Sequence, residues 1–497
     1  MNEFDFDFET LRRWPDIEAP NLFASDASDR LILDEAAEAL TDIDGRHVVV
    51  IGDRYGALTL GAAARFGLSG IRVHQDALSG EQALAANAER VGFGTPRASG
   101  TNAPDAVTGT ATGTAGGTDA IATATGAPGS TTGTPGTTSG TPGTATGTTS
   151  TSGTPGAAVY ENLPLDEPLL AAARVVLLQL PRSLAELDEI ADAIARFAAP
   201  DVVVYAGGRL KHLSIAMNDV LRARFAEVHA SRARQKSRAL IASGVRRPTD
   251  ARPYPRLDRN AELGLTIAAH GGAFAGTTLD IGTRFLLTFL DRLDLPTDPP
   301  TTPTTRAAAA AAAATPTAPT PVTIPTTPTA PTPVTTPTTP SAPDPVTTPT
   351  AATPVAIDLG CGTGIIAAVL ATQHPALHVI ATDQSYAATS SARATMAAND
   401  LGERVTIVRD NGLALQPDAS ADLIVCNPPF HVGSSVHTGA ALAMFRDAGR
   451  VLRPGGRLLT VFNSHLGYQA DLRRSVGDTR MLGQNPKFTV TLSTRRP

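Results

Sequence analysis

Four consecutive residues, Asn427-Pro428-Pro429-Phe430, follow the apolar run ADLIVC. Two prolines behind a strand fix an extended, rigid loop with no donor at either proline nitrogen. The carbonyl of Pro428 then becomes a fixed acceptor, and Asn427 adds a side-chain carbonyl beside it. Two acceptors suit an exocyclic NH2, which brings two donors. Held so, the amine nitrogen aims its lone pair at an electrophilic carbon, and the gain in rate comes mainly from positioning. No general base is required, because the alkylated nitrogen is a cation that sheds its proton afterwards. Phe430 offers a face on which a planar base can stack. His431 either lines the pocket or satisfies a backbone group of the loop. By itself the motif also reads as a proline-stiffened turn.

A second constellation upstream favours chemistry. Residues 357–364 read IDLGCGTG, a strand end followed by three alternate glycines and the helical run IIAAVLA. Glycine lets the backbone turn sharply and approach a ligand closely. The turn sits at a strand end, where open α/β sheets bind ligands. The pattern D-x-G-x-G-x-G is shorter than the dinucleotide fingerprint and carries an acid before its first glycine. It suits a cofactor with an amino-acid tail and no pyrophosphate. Asp358, Gly360, Gly362 and Gly364 are therefore expected to bind cofactor, with Asp358 meeting the ammonium of the tail directly or through water. Asp383 ends the next strand, HVIATD, where a carboxylate can accept both ribose hydroxyls. Asp410-Asn411 ends RVTIVRD and is expected at the adenine edge, and Asn427 borders the same cofactor. Cys361 and Cys426 read as packing residues.

Such residues need a scaffold, and the chain supplies one twice. HVVVIG, RVVLLQL and DVVVYAG in the first half, and VAIDLG, HVIATD, RVTIVRD, ADLIVCN and GRLLTVFN in the second, are short β-branched runs. Most are followed by Ala/Leu-rich helical patterns. Alternating strands and helices predict largely parallel sheets covered by helices. VVVIGDRYG (48–56) aligns with AIDLGCGTG (356–364). Asp76 with the later Ala85-Ala86-Asn87 parallels Asp383 with Ala397-Ala398-Asn399, and RVVLLQLPRS parallels ADLIVCNPPFH. The order of these pieces implies an internal duplication. Val50 then stands opposite Asp358, Arg54 opposite Gly362, and Gln179-Leu180-Pro181 opposite Asn427-Pro428-Pro429, so the first half keeps the fold signals and loses the chemistry.

Two tracts interrupt this pattern. Residues 94–156 are almost wholly Thr, Gly, Ala, Ser and Pro, and 296–354 are Thr/Pro-rich with an alanine run. Neither can bury enough apolar surface to offset chain entropy, so both are predicted to be disordered insertions. The expected layout is a degenerate N-terminal domain over 1–93 and 157–262, and a catalytic domain over 263–295 and 355–497. Within the 497 residues, with a net charge of −6, no apolar run reaches the roughly 18 residues of a membrane span. The acidic start MNEFDFDFET does not read as a signal peptide. Two cysteines make no disulfide framework, no metal-ligand set is read, and the expected setting is the cytoplasm.

Together these motifs resemble the Class I S-adenosylmethionine-dependent methyltransferases of the "small" domain type, and most closely the bacterial ribosomal RNA guanine-N2 methyltransferases. NPPFH carries the likeness. So do Gly272-x-Phe274 with Leu279-Asp280-x-Gly282-Thr283, residues 462–468 (FNSHLGY), and Asn485-Pro486-Lys487-Phe488. Leu11-Arg12-Arg13-Trp14-Pro15 looks like the large-subunit branch. The resemblance implies two tandem Rossmann-like methyltransferase domains, the first degenerate. It implies S-adenosyl-L-methionine as cofactor, ribosomal RNA or a ribosomal subunit as partner, a monomer, and Asn427, Pro428, Pro429 and Phe430 as the catalytic set.

Charge points the same way. Residues 207–259 hold 13 Lys+Arg against 4 Asp+Glu, a local surplus suited to phosphate. The first domain is thus expected to grip RNA, and the second, alone, to keep its cofactor affinity. Two alternatives stay open. The same two acceptors serve adenine N6 or a protein glutamine amide, and a nonenzymatic RNA-binding assembly protein could retain a vestigial cofactor loop.

Overall fold

The computed structural model describes residues 6–94, 158–293, 353–429 and 438–497. Apart from Gly94, Thr353 and Pro354, the two low-complexity tracts lie outside the described residues, as do Phe430 and His431.

In chain order the first half runs α1 (Ala27–Glu35), α2 (Ala37–Leu40), β1 (Val48–Ile51), α3 (Ala57–Phe66), β2 (Ile71–His74), α4 (Leu78–Arg90) and β3 (Tyr160–Asn162). It continues with α5 (Glu167–Leu170), β4 (Val175–Gln179), α6 (Leu184–Phe197), β5 (Val203–Arg209), α7 (Ile215–Arg224), β6 (Phe225–Ala230) and β7 (Ser237–Val245). A hairpin, β8 (Arg256–Asn260) and β9 (Leu265–Ala269), leads to α8 (Ile281–Leu287). The second half then runs β10 (Val355–Leu359), α9 (Ile365–Gln373), β11 (His378–Asp383), α10 (Tyr386–Ala398), β12 (Val405–Arg409) and β13 (Ala421–Cys426). It ends with α11 (Thr438–Val451), β14 (Leu452–Asn463), α12 (Gln469–Ser475), β15 (Gly477–Gln484) and β16 (Phe488–Arg495).

Both sheets have seven strands in one order, β3-β2-β1-β4-β5-β7-β6 and β12-β11-β10-β13-β14-β16-β15. In each, six strands run in one direction, and the strand last in sequence inserts antiparallel between the fifth and the sixth. Side chains alternate along a strand, so Val48 and Val50 enter one core while Val49 and Ile51 enter another on the opposite face. Strands covered on both faces read as unbroken apolar runs, which is why VVVI and VAIDL stand out in the sequence. The architecture is that of two Rossmann-like methyltransferase domains, as the sequence predicts.

The strand registers test the duplication residue by residue. Ile51 pairs with His74 and Leu178, and Leu359 pairs with Thr382 and Cys426. Gln75 therefore stands where Asp383 stands, and Gln179 where Asn427 stands. This corrects one detail of the alignment, because Asp76 lies one residue beyond the position of Asp383. Asn87 and Asn399 are also out of step, by four residues along matching helices, yet each bonds both the N–H and the carbonyl of a preceding segment, at Arg12 (2.9 and 2.8 Å) and at Thr266 (2.9 and 2.7 Å). β9 is tied to α10 in this way, and its Leu265 packs into the second core.

Each glycine turn caps the carboxyl edge of its sheet, and the two carboxyl edges meet at the joint between the domains. Both tracts return to described chain at the opposite, amino edge. The first re-enters ahead of β3 and the second ahead of β10.

Candidate active site

Asn427 is the first residue after β13, at the carboxyl edge. Its amide nitrogen donates to Asp280 Oδ2 at 3.2 Å and to Thr283 Oγ1 at 3.0 Å. Two oxygen partners fix which end of the amide is NH2, and so fix the direction of its carbonyl. That carbonyl, Oδ1, is buried and has no hydrogen-bond partner among the described residues. A buried acceptor left empty costs free energy, so it marks a place where a donor belongs. Pro428 is buried beside it and Pro429 is exposed. Asp280 also caps α8 through the Thr283 N–H at 3.0 Å, so one carboxylate holds both helix and amide. Sequence reasoning gave Asp280 and Thr283 no role beyond family likeness. Asp280 alone is readable as a helix N-cap, a position that favours Asp, but its tie to Asn427 is not. Asn485 shapes the neighbouring turn, its Oδ1 accepting from Lys487 N at 2.9 Å and Phe488 N at 2.7 Å. Phe488 in turn lies 3.3 Å from where a Cβ on Gly282 would stand.

The glycine turn lies beside this loop. Gly360, Gly362 and Gly364 have φ of +76°, +54° and +79°, the left-handed region that glycine enters at no cost. A Cβ on Gly362 would meet nothing within 4 Å, so open space faces the turn. Asp358 is fully buried below it. Its Oδ2 accepts from Ala367 N at 3.0 Å, and its Oδ1 has no partner among the described residues. Burial pushes this carboxyl up to about 7, the nearby Asp383 adding to the rise. Asp383 accepts from Gly362 N at 3.0 Å through Oδ2 and from Ser385 N at 2.9 Å through Oδ1. One bond on each oxygen leaves lone pairs on both, and burial raises its pKa. Asp410 is 1% exposed and accepts from Leu415 N at 2.9 Å. Its carboxylate thus braces its own loop. Asn411 donates to Gln82 of the first domain at 3.1 Å. Cys361 and Cys426 are free and buried, and burial pushes both thiols well above their usual range.

The first half repeats the frame with the openings closed. Gln179 donates to Asp29 and to Ser28 Oγ, and Ser28 Oγ, whose hydroxyl donates to Asp26, stands 3.3 Å from the Gln179 carbonyl. Thr59, the counterpart of Ala367, donates its N–H to Asp53 at 2.7 Å, an acid three residues beyond the counterpart of Asp358 that takes over its bracing role. The catalytic domain then packs against this edge. Gly271 N and His270 Nδ1 bond to Glu189 at 2.7 and 2.6 Å, and a Cβ on Gly271 would lie 2.2 Å from the Ala185 carbonyl. The cavity left there, between Gly52 and Gln179 on one side and His270 and Tyr386 on the other, holds about 150 Å³. Small-molecule sites run to roughly 300–1,000 Å³.

The basic stretch is less free than its composition suggests. Arg209, Arg222, Arg224, Arg234, Arg252 and Arg256 form ion pairs with Asp26, Asp219, Asp192, Asp34, Asp166 and Asp188. Arg246 and Arg247 bond backbone carbonyls. Lys211, Arg232, Lys236 and Arg259 are exposed, with no ion-pair partner among the described residues. Among the described residues no cluster of three or more His, Cys, Asp or Glu is placed to hold a metal, and no helix is long and apolar enough to cross a membrane.

With this geometry the comparisons with known proteins agree. Residues 347–492 match the methyltransferase small domain, and residues 1–112 with 155–246 match the RLMG N-terminal domain. Fold and site thus define a methyltransferase of the small-domain class carrying a second, methyltransferase-like domain. A ribosomal RNA large subunit methyltransferase G from Pseudomonas paraeruginosa is 32% identical over 329 residues, covering 66% of this chain and 72% of that protein. The one from Streptomyces avermitilis is 26% identical over 494 residues, 98% and 97% of the two chains. The chain belongs to the ribosomal RNA large subunit methyltransferase G family. In fold it is also similar to a T. Thermophilus 16S rRNA N2 methyltransferase solved with AdoMet and guanosine, with a TM-score of 0.57 at 17% identity over 97% of each chain.

Proposed function

We propose that this protein methylates the exocyclic N2 amine of a guanine in large-subunit ribosomal RNA, with S-adenosylmethionine as donor. The observation that carries the reading is the buried, partnerless carbonyl of Asn427, whose NH2 is clamped by Asp280 and Thr283. An aromatic amine brings the missing donor, and the Pro428 carbonyl takes its second N–H. Bound S-adenosylmethionine supplies an electrophilic methyl group. Asn427 and Pro428 hold the nitrogen so that its lone pair faces that group, and they carry the charge that develops on its N–H bonds. The added proton leaves to solvent after transfer. Phe430 belongs to the same proposal as the stacking face for the base.

For the cofactor, the partnerless Asp358 Oδ1 meets the ammonium of its amino-acid tail, and the open space at Gly362 admits the tail itself. Asp383 has lone pairs left for two ribose hydroxyls. Gly360 and Gly364 shape the turn, and Asp410 with Asn411 forms the adenine edge. The first domain holds RNA phosphate through its exposed lysines and arginines. A structured target must release its guanine from the stack to reach Asn427.

Asn427→Ala tests the reading. Single-turnover methylation of ribosomal RNA is expected to fall by about 10²-fold or more, with S-adenosylmethionine affinity little changed by calorimetry. Near-normal turnover removes Asn427 from the mechanism. Parallel assays of the parent on DNA and release-factor protein separate guanine N2 from adenine N6 and glutamine, and mapping the nucleotide lost in a deletion strain names the target.

A further inference from the structure

The two domains join around a local twofold. Leu78 N donates to the Gln384 carbonyl at 2.9 Å, and Tyr386 N donates to the Asp76 carbonyl at 2.8 Å. Since β2 and β11 are counterparts, as are α4 and α10, these are one bond made twice. The side chains around the axis are not symmetric. Asp76 Oδ1 accepts from Ser385 Oγ at 3.0 Å and from Ala387 N at 2.8 Å, so an acid of the first domain caps a helix of the second. Ser385 is the residue whose N–H holds Asp383 Oδ1. Arg409 donates to Glu81 at 2.6 Å and to the Gln75 and Asp76 carbonyls at 3.0 Å each, and its Nε reaches the Gln384 carbonyl at 3.2 Å. Gln82 holds Asn411. Asp410 N completes the circuit, donating to the Asp383 carbonyl at 2.9 Å.

These bonds from the first domain fall on residues 384–387 and 409–411, in the segments that leave β11 and β12 at the carboxyl edge. The first segment directly follows the ribose acid, and the second carries the adenine edge. We propose that the noncatalytic domain builds half of its neighbour's cofactor site, with Asp76, Glu81 and Gln82 as positioning residues that touch no cofactor themselves. The inference rests on the reading of Asp383 and Asn411 as cofactor ligands. It runs against the expectation that the second domain alone keeps its cofactor affinity. Groups one bond removed from a ligand set its geometry as surely as the ligating atoms do. Here that outer layer comes from a different domain, so cofactor and first domain are thermodynamically coupled.

The test uses the full-length chain and calorimetric titration with S-adenosylhomocysteine. Asp76→Ala is expected to weaken binding about tenfold, the scale of a lost helix cap. Asp76→Asn keeps the oxygen that accepts from Ser385 and Ala387, and is expected to bind within about twofold of the parent. Gln82→Ala removes one hydrogen bond far from any cap and is expected to weaken binding severalfold, with an unchanged thermal midpoint. Asp383→Ala is the control for the underlying reading. If Asp383→Ala weakens binding while Asp76→Ala and Gln82→Ala bind like the parent, the inference is overturned. Equal losses in Asp76→Ala and Asp76→Asn overturn it too. If Asp383→Ala itself binds normally, the cofactor reading fails and the inference falls with it. Should Asp76→Ala not fold, Gln82→Ala decides alone.

Discussion

Asn427 and Gln179 occupy one position in two copies of one fold, and they differ in what meets the carbonyl. Ser28 Oγ crowds the Gln179 carbonyl at 3.3 Å, whereas nothing among the described residues meets that of Asn427. The first half thus has a side chain standing where an incoming donor would have to come. Asp358 tells a similar story through its proton. Its carboxyl lies at about 7 instead of the usual 3.8 because burial disfavours the charge. A folded value above the unfolded one means that its contribution to stability is complete below the unfolded value and is lost as pH rises to the folded one. Asp29, pushed to about 8, and Glu186, pushed to about 7, act in the same direction. Thermal midpoints of the cofactor-free protein are therefore expected to fall as pH rises through this window, and Asp358→Asn to flatten part of the fall. An ammonium placed beside Asp358 lowers its pKa, so cofactor binding near about pH 6 should release a proton. Titrations in buffers of different ionisation enthalpy measure this. No proton release in the parent places the ammonium elsewhere.

At the level of elements, the proposed role of Asn427 gives α8 a part in catalysis through its first turn. Thr283→Val removes one of the two partners of the Asn427 NH2 and leaves the Asp280 cap in place. Methyl transfer is expected to drop about tenfold, the scale of one lost hydrogen bond, with little change in cofactor affinity or melting. A parent-like rate would show that Asp280 alone orients the amide. This clamp was not legible in the sequence, because Asp280 and Thr283 lie more than a hundred residues from Asn427. The strands, the glycine turn and the proline loop were legible, since each is specified by neighbours in the chain. The match of Asp76 to Asp383 slipped by one because register is a property of paired strands, which a single sequence does not display. The arginines of 207–259 looked free for the same reason: the acid beside Arg234 is Asp34, far away in the chain.

For the whole molecule, the expected division of labour is RNA on the first domain and chemistry on the second. The ion pairs decide which residues test it. Reversing Arg234 would break its pair with Asp34 and confuse folding with binding. Reversing Lys211, Arg232, Lys236 and Arg259 to glutamate avoids the ion pairs. The quadruple variant is expected to bind ribosomal RNA more weakly, with the slope of log affinity against log salt reduced by about 0.7–0.9 for each phosphate that is no longer neutralised. S-adenosylhomocysteine affinity should be unchanged, since none of these residues lies on the loops that join the domains. Parent-like RNA binding across a salt titration would move the RNA surface off this stretch.

Both tracts return to the fold at amino ends of parallel strands, ahead of Tyr160 and of Val355, while glycine turn, proline loop and domain joint crowd the other edge. Both connections thus lie away from the proposed site. Codons gained or lost at either connection are therefore expected to leave methyl transfer unchanged, which single-turnover assays of shortened variants measure. The same two places would accept a protease cleavage site, a fluorophore or a folded passenger, provided that it is spliced into the connection and not into β3 or β10. A reporter entered ahead of Val355 would ride on the catalytic domain from behind, watching cofactor and RNA arrive at an edge it cannot touch.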